Sequence, residues 1–121
     1  NGMVGFTDWN IILDETGGPN HVQNFCFAPV HGDTKTGQLI YTNAYYYIGH
    51  FSKFIQPGAK RIISSPSRSQ FLSTAFLNPD GTVAIIVMNQ GNSTSPVYLW
   101  VKGKAVKVTS RAHSISTYII K

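Results

Sequence analysis

The chain has 121 residues, 42% hydrophobic and only 12% charged, with ten Lys or Arg against five Asp or Glu. That length supports one core of ordinary size or a piece of a larger one, and a charged share about half the usual value favours burial, including burial against another surface. The longest apolar runs, such as Val83 to Met88, fall far short of the ~20 residues that a membrane-spanning helix needs, and Asn1-Gly2 has no basic flank before an apolar stretch, so the sequence reads as starting inside a longer chain.

From Met3 to Leu13 the residues are mostly apolar, interrupted by Gly5, Thr7, Asp8 and Asn10, the pattern of a buried strand whose far end turns functional. Asp14 to Asn20 is turn chemistry, because Gly supplies positive φ and Pro a fixed one. His21 to Val30 reads as a second extended segment and His31 to Gly37 as a polar loop, and the two extended segments are expected to pair as a long hairpin. Ala44, Ile48, Phe51 and Ile55 then fall at helical spacing, with Asn43 as N-cap and Pro57-Gly58 as the stop. The aromatic residues on this helix, Tyr45 to Tyr47 with Phe51 and Phe54, need a wide apolar partner surface. Beyond Gly58 come short β segments at Arg61 to Ser65, Phe71 to Leu77, Thr82 to Asn89, Val97 to Val101, Ala105 to Ser110 and Ser116 to Ile120. Asn78-Pro79-Asp80-Gly81 is a strong hairpin turn, and Gln90 to Ser95 and Lys102-Gly103-Lys104 are weaker ones. Strands at this spacing argue for an antiparallel sandwich. Thr82 to Asn89 is apolar on both faces and is expected to be central.

Charge is unevenly spread. Residues 1–52 carry Lys35 against Asp8, Asp14, Glu15 and Asp33, whereas residues 53–121 carry nine Lys or Arg against Asp80. Those cations are scattered along expected strands and turns, so a solvated surface is their ordinary reading, and no nucleic-acid motif accompanies them. Cys26 stands alone and excludes an intrachain disulfide; as a small apolar residue between Phe25 and Phe27 it needs no chemical role.

Hydrolysis of a glycosidic bond ordinarily needs two carboxyl groups ~5 to 9.5 Å apart. Here the supply is five, of which Asp14, Glu15 and Asp80 sit in turns and only Asp8 lies beside a plausible pocket. A Cys26, His21 and Asp8 trio can be drawn, but any chain of this length offers one. His21, His31, His50 and His113 show no metal-ligand spacing, so no metal and no cofactor is expected. Asn92-Ser93-Thr94 matches a glycosylation acceptor, a match common by chance. What remains is the cluster Trp9, Asn10, Asn24 and Phe25, since aromatic faces stack on sugar C–H faces and amides pair with hydroxyls. Taken by themselves these residues read as core packing for Trp9 and as turn or cap groups for the Asn residues.

The blocks "FTDWNIILDETGGPNHVQNF", "YYYIGHFSKFIQPGAKRI", "FLNPDGTVAIIVMNQ" and "HSISTYIIK" run along nearly the whole chain, and together they resemble the C-terminal part of glycoside hydrolase family 30, the glucosylceramidase (glucocerebrosidase) group. The resemblance implies a mainly β chain with one helix. Residues 1–57 would end a (β/α)8 barrel, with its last strand near Met3 to Thr7, a β-hairpin excursion at about 10–41 and the last barrel helix near Asn43 to Ile55, and residues 58–121 would form most of a β-sandwich. Active sites of such barrels lie at the C-terminal ends of the strands.

Carried over by residue, the family's sugar-stacking Trp falls on Trp9 and its Asn-Phe pair at the pocket edge on Asn24 and Phe25, while Asp8 and Asn10 keep the pattern of a supporting loop. Phe6 stands where the family often has a second Trp. The family's two catalytic glutamates come from upstream strands, and Glu15 matches neither, so no catalytic residue is expected within the chain. The implied partners are a β-glucoside or glycosphingolipid substrate and the rest of the barrel from upstream chain, with no nucleic acid; the implied compartment is secreted or lysosome-like. The alternative is a non-catalytic sandwich module that binds carbohydrate or an anionic surface.

Overall fold

The structure, a computed structural model, describes Met3 and residues 5–121. Its described residues form nine strands and one helix, and the chain divides into two compact units, residues 1–49 and 50–121.

In the first unit, β1 (Ile12–Asp14), β2 (Val30–Gly32) and β3 (Leu39–Tyr41) form one sheet in that order. The expected buried strand from Met3 to Leu13 is realised only at its end. Met3, Phe6, Trp9 and Ile11 are exposed, and Asp8 turns its carboxylate onto the Trp9 N–H at 2.8 Å, a local contact that competes with strand pairing. Part of the stretch that the resemblance assigns to the last barrel strand, Val4, lies outside the described residues.

The expected long hairpin is also different. β1 and β2 run parallel, with Ile12 opposite Val30, and the hairpin is instead β2 with β3, where Val30 faces Tyr41. Parallel neighbours need a crossover of about a dozen residues or more, which the segment between Asp14 and Val30 supplies. The loop from Asp33 to Gln38 closes β2 onto β3 through Asp33, whose backbone N–H donates to Gln38 at 2.9 Å while its carboxylate accepts from the N–H groups of Lys35 and Thr36.

Helix α1 (Asn43–Ser52) starts one residue earlier than a cap at Asn43 would require. Thr42 holds the flanking position: its carbonyl accepts from the Tyr45 N–H at 3.1 Å, and its hydroxyl donates to Pro29 and Ala28 at 3.0 and 3.2 Å. No residue of α1 is buried. Tyr41, Tyr45 and Tyr46 stack edge to face at centroid distances of 4.7 and 5.4 Å, and all three stay exposed.

The second unit is a two-layer sandwich. One sheet contains β4 (Lys60–Ile62), β5 (Phe71–Leu77), β6 (Val83–Asn89) and β9 (Ser114–Ile120) in the order β4-β5-β6-β9, all antiparallel; the other pairs β7 (Ser95–Val101) with β8 (Lys104–Ser110). Alternation puts Phe71, Ala75, Val83, Ile85 and Val87 on the inner face, where they meet Leu99 of β7 in one buried cluster. β6 is central as expected, and its other face is buried too at Ala84 and Ile86.

Turn chemistry sets the registers. In the β5–β6 hairpin the Asp80 carboxylate accepts from the backbone and hydroxyl of Thr82 at 2.9 and 2.6 Å, and Gly81 takes φ +84°. Lys102 and Gly103 both have positive φ, 49° and 77°, the two-residue turn that matches strand twist.

Candidate functional site

The first unit carries an open concavity of about 370 Å³ built by the connection between β1 and β2. Asp14, at the end of β1, organises its turn: one carboxylate oxygen accepts from the Thr16 N–H at 2.8 Å, the Thr16 hydroxyl at 2.6 Å and the Gly18 N–H at 2.8 Å. These bonds, led by the Thr16 hydroxyl, hold the Asp14 carboxyl below its ordinary range. Asp14, Thr16 and Gly18 bound one side of the concavity, and Asn20, Asn24 and Phe25 bound the returning chain.

The return is fixed at several points. Asn20 donates its amide to the Asn24 carbonyl at 2.7 Å, and the Asn24 amide approaches the Cys26 sulfur at 3.6 Å. Gly17 (φ +76°) lies directly against the Cys26 backbone, whose nitrogen is 2.5 Å from where a Cβ would stand. His31 spans the base. Its Nε2 accepts the Ala28 N–H at 3.3 Å, which leaves Nδ1 as the protonated nitrogen donating to the Asp14 carbonyl at 2.8 Å. Glu15 reaches across to the β2–β3 loop and accepts from the Thr34 N–H and hydroxyl at 2.9 and 2.8 Å.

The structure therefore brings Asn24 and Phe25 to one concavity, with Phe25 80% exposed. Trp9 does not line it. Its side chain is 69% exposed on the approach to β1, so the reading of Trp9 as core packing is corrected. Asp8 is engaged with the Trp9 backbone as described, and Asn10 is exposed beside it. Sequence reasoning placed Asp14, Glu15 and Gly17 in a turn and His31 in a polar loop, and it missed the part they take in fixing the connection between β1 and β2. The Asp14 carboxylate bonds within its own turn, a local signal, but the bonds from His31 to Asp14 and from Glu15 to Thr34 span 17 and 19 residues, beyond any local pattern.

Four of the five carboxylates are tied into turns that favour the charged form. The Glu15 carboxyl is held down chiefly by the Thr34 N–H, that of Asp33 by the Lys35 N–H and that of Asp80 by the Thr82 hydroxyl, alongside Asp14. A glycosidic general acid needs the opposite perturbation, a raised pKa that keeps its proton near neutrality. No group of three or more His, Cys, Asp or Glu among the described residues is arranged to hold a metal ion. A larger opening of about 660 Å³ runs along the seam between β7 and the segment after β4, but apolar residues such as Ile62, Phe71, Val83 and Leu99 dominate it and no carboxylate lines it.

Two family models match the chain. The glycosyl hydrolase family 30 TIM-barrel domain covers residues 1–55, and the glycosyl hydrolase family 30 beta sandwich domain covers residues 58–118. Lysosomal acid glucosylceramidase of Mus musculus is 35% identical over 119 residues, covering 97% of this chain and 23% of the mouse protein. Putative glucosylceramidase 1 of Caenorhabditis elegans is 38% identical over 115 residues, covering 93% of this chain and 22% of its own length. The crystal structure of SrfJ from Salmonella typhimurium superposes with a TM-score of 0.87 at 32% identity, over 94% of this chain and 26% of that one. The chain thus spans less than a quarter of the length of these two curated relatives.

Proposed function

The chain belongs to glycosyl hydrolase family 30, and from that premise we propose that it supplies the rim of a sugar pocket and a β-sandwich to a retaining β-glycosidase whose catalytic glutamates lie in upstream sequence. It is mainly β with one helix and carries the barrel end and the sandwich of that family. The substrate we assign to the intact protein is a β-glucoside such as glucosylceramide, the class that the names of the mouse and nematode relatives carry.

In this reading Trp9 stacks its indole on the C–H face of the glucose, Asn24 offers an amide donor and acceptor to ring hydroxyls, and Phe25 forms the apolar edge. Asp8 and Asn10 hold the loop that presents Trp9. One upstream glutamate protonates the leaving oxygen while the other forms the covalent glycosyl intermediate, which water then hydrolyses. The observation that carries the proposal is a division of labour. Trp9 and Phe25 stand exposed, whereas Asp14, Glu15, Asp33 and Asp80 are locked in turn hydrogen bonds that hold them ionised.

The intact protein containing this chain tests it. Assayed on 4-methylumbelliferyl β-glucoside and on glucosylceramide in detergent micelles, it is expected to release glucose with retained anomeric configuration. Trp9→Ala and Asn24→Ala are each expected to lower kcat/KM by about tenfold, the loss of roughly one stacking or hydrogen-bonding contact. Glu15→Gln should leave kcat within a few-fold. Absence of β-glucosidase activity, or a wild-type kcat/KM in Trp9→Ala, overturns the proposal.

A further inference from the structure

One motif of the sequence has no part in the glycosidase reading. Asn92-Ser93-Thr94 matches the acceptor pattern for N-linked glycans, and no other asparagine of the chain opens such a pattern. Chance matches fall on buried strands as readily as on loops, so placement in the fold is what separates an acceptor from a coincidence. This one lies on the connection from β6 to β7, which carries the chain from one sheet of the sandwich to the other. Asn92, Ser93 and Thr94 are all exposed, whereas Asn89 before them and Ser95 after them are buried.

Asn89 explains how so short a connection holds its tip outward. Its side-chain oxygen accepts from the Gly91 N–H at 2.9 Å and its amide donates to the Ser93 carbonyl at 3.1 Å, so the backbone is pinned immediately before and after Asn92. The Gly91 carbonyl accepts from the His113 N–H at 3.3 Å, and the Gln90 N–H donates to the Gln70 carbonyl at 2.9 Å. Packing is close at Gly91, where a Cβ would stand 3.1 Å from the Asn89 oxygen, and one residue later the side chain is in solvent. Asn89 makes no bond to the side chains of Asn92 or Thr94, so the hub fixes the turn without engaging the acceptor groups.

We propose that Asn92 carries an N-linked glycan. The chemistry is transfer of an oligosaccharide from a polyprenyl diphosphate donor by a lumenal transferase that the chain meets during its synthesis. The bond between the anomeric carbon and the diphosphate oxygen breaks, a bond from that carbon to Asn92 Nδ2 forms, the amide gives up a proton and the polyprenyl diphosphate leaves. The Thr94 hydroxyl is the group that marks the acceptor for the transferase. A bulky hydrated glycan suits this turn, because it projects from the exposed tip and leaves Asn89 and Ser95 buried beneath it. The glycan and the glycosidase reading stand or fall separately, because the readout is the mass of one peptide and not turnover.

The test uses the intact protein made in its own cells. Trypsin releases Asn92 within the peptide Ser69–Lys102. That peptide is expected to carry added hexosamine and hexose mass at residue 92, and peptide N-glycosidase should remove the mass and leave an aspartate in place of the asparagine. Asn92→Gln and Thr94→Ala should each lose the modification completely, whereas Thr94→Ser, which keeps the hydroxyl, should retain it. The two variants without glycan should melt as the deglycosylated parent does, since their side chains lie outside the core. An unmodified Ser69–Lys102 peptide from the parent overturns the proposal, as does sugar on Ser93 or Thr94 in place of Asn92. Retention of the glycan in Thr94→Ala also overturns it.

Discussion

Gly17 and Gly37 have nearly the same backbone, φ +76° and +71°, but different surroundings, and the difference separates two sources of cost. A methyl group at Gly37 meets nothing within 4 Å, so Gly37→Ala should lose only the left-handed preference, about 1 kcal/mol. At Gly17 the same methyl group drives into the Cys26 backbone, so Gly17→Ala should cost about 2 kcal/mol or more and displace the segment that carries Asn24 and Phe25. Thermal unfolding of the two variants of the intact protein checks the ranking, and a lower melting temperature for Gly37→Ala refutes it. Asn89 makes a parallel case in the sandwich. It is fully buried, its amide donates to Ser93 and Arg111 at 3.1 and 2.9 Å, and its oxygen accepts from the Gly91 N–H at 2.9 Å. Asn89→Ala should cost about 2 kcal/mol, the desolvation of the carbonyls left behind. Asn89→Asp should cost more than the alanine change, because a carboxylate would face those carbonyl oxygens without donors; equal melting temperatures would refute this.

At the scale of elements, His50 near the end of α1 belongs to the second unit and reaches β9 within it. The Nδ1 of His50 lies 2.8 Å from the Thr117 hydroxyl on β9, and partial burial pushes the imidazole below its ordinary value of 6.5. A depressed pKa means that the unfolded chain binds the proton first. The contribution of His50 is therefore complete above pH 6.5 and is lost as pH falls from there through the folded value. Unfolding midpoints measured between neutral and mildly acidic pH should fall more steeply for the parent than for His50→Gln, and parallel profiles would show that burial of the imidazole does not couple to folding.

The same scale shows what was legible in the residues. β5 falls where the sequence puts it and β6 starts one residue later, because period-two alternation and an Asn-Pro-Asp-Gly turn are local signals that tertiary context only reinforces. The parallel pairing of β1 with β2 left no such mark. Both are three-residue strands, too short to show alternation, and the bonds that direct the crossover, His31 to Asp14 and Glu15 to Thr34, link residues far apart in sequence. The candidate site was legible only through resemblance. An exposed tryptophan and a buried one look alike in a sequence, and the contact that presents Trp9 is a single backbone bond to Asp8.

For the whole molecule, the balance between covered and uncovered apolar surface decides behaviour. The inner sandwich cluster is well buried, but Tyr45, Tyr46, Tyr47 and Phe51 on α1 are each more than 40% exposed, as are Phe6, Phe25 and Phe27. The two-stranded β7–β8 sheet has unpaired outer edges among the described residues, and one of them borders the apolar seam of about 660 Å³. Exposed aromatic side chains and open strand edges recruit further surface, either from additional polypeptide or from other copies. Residues 1–121 produced by themselves should therefore bind an apolar dye strongly and associate further as concentration rises in sedimentation velocity. They should also show no β-glucosidase activity, since in the proposed reading both catalytic glutamates lie in upstream sequence. Adding the upstream sequence in the same polypeptide should suppress both dye binding and association. A monomeric, dye-silent chain of 121 residues would mean that these surfaces are stable in water and that the aromatic stripe of α1 has some purpose other than packing.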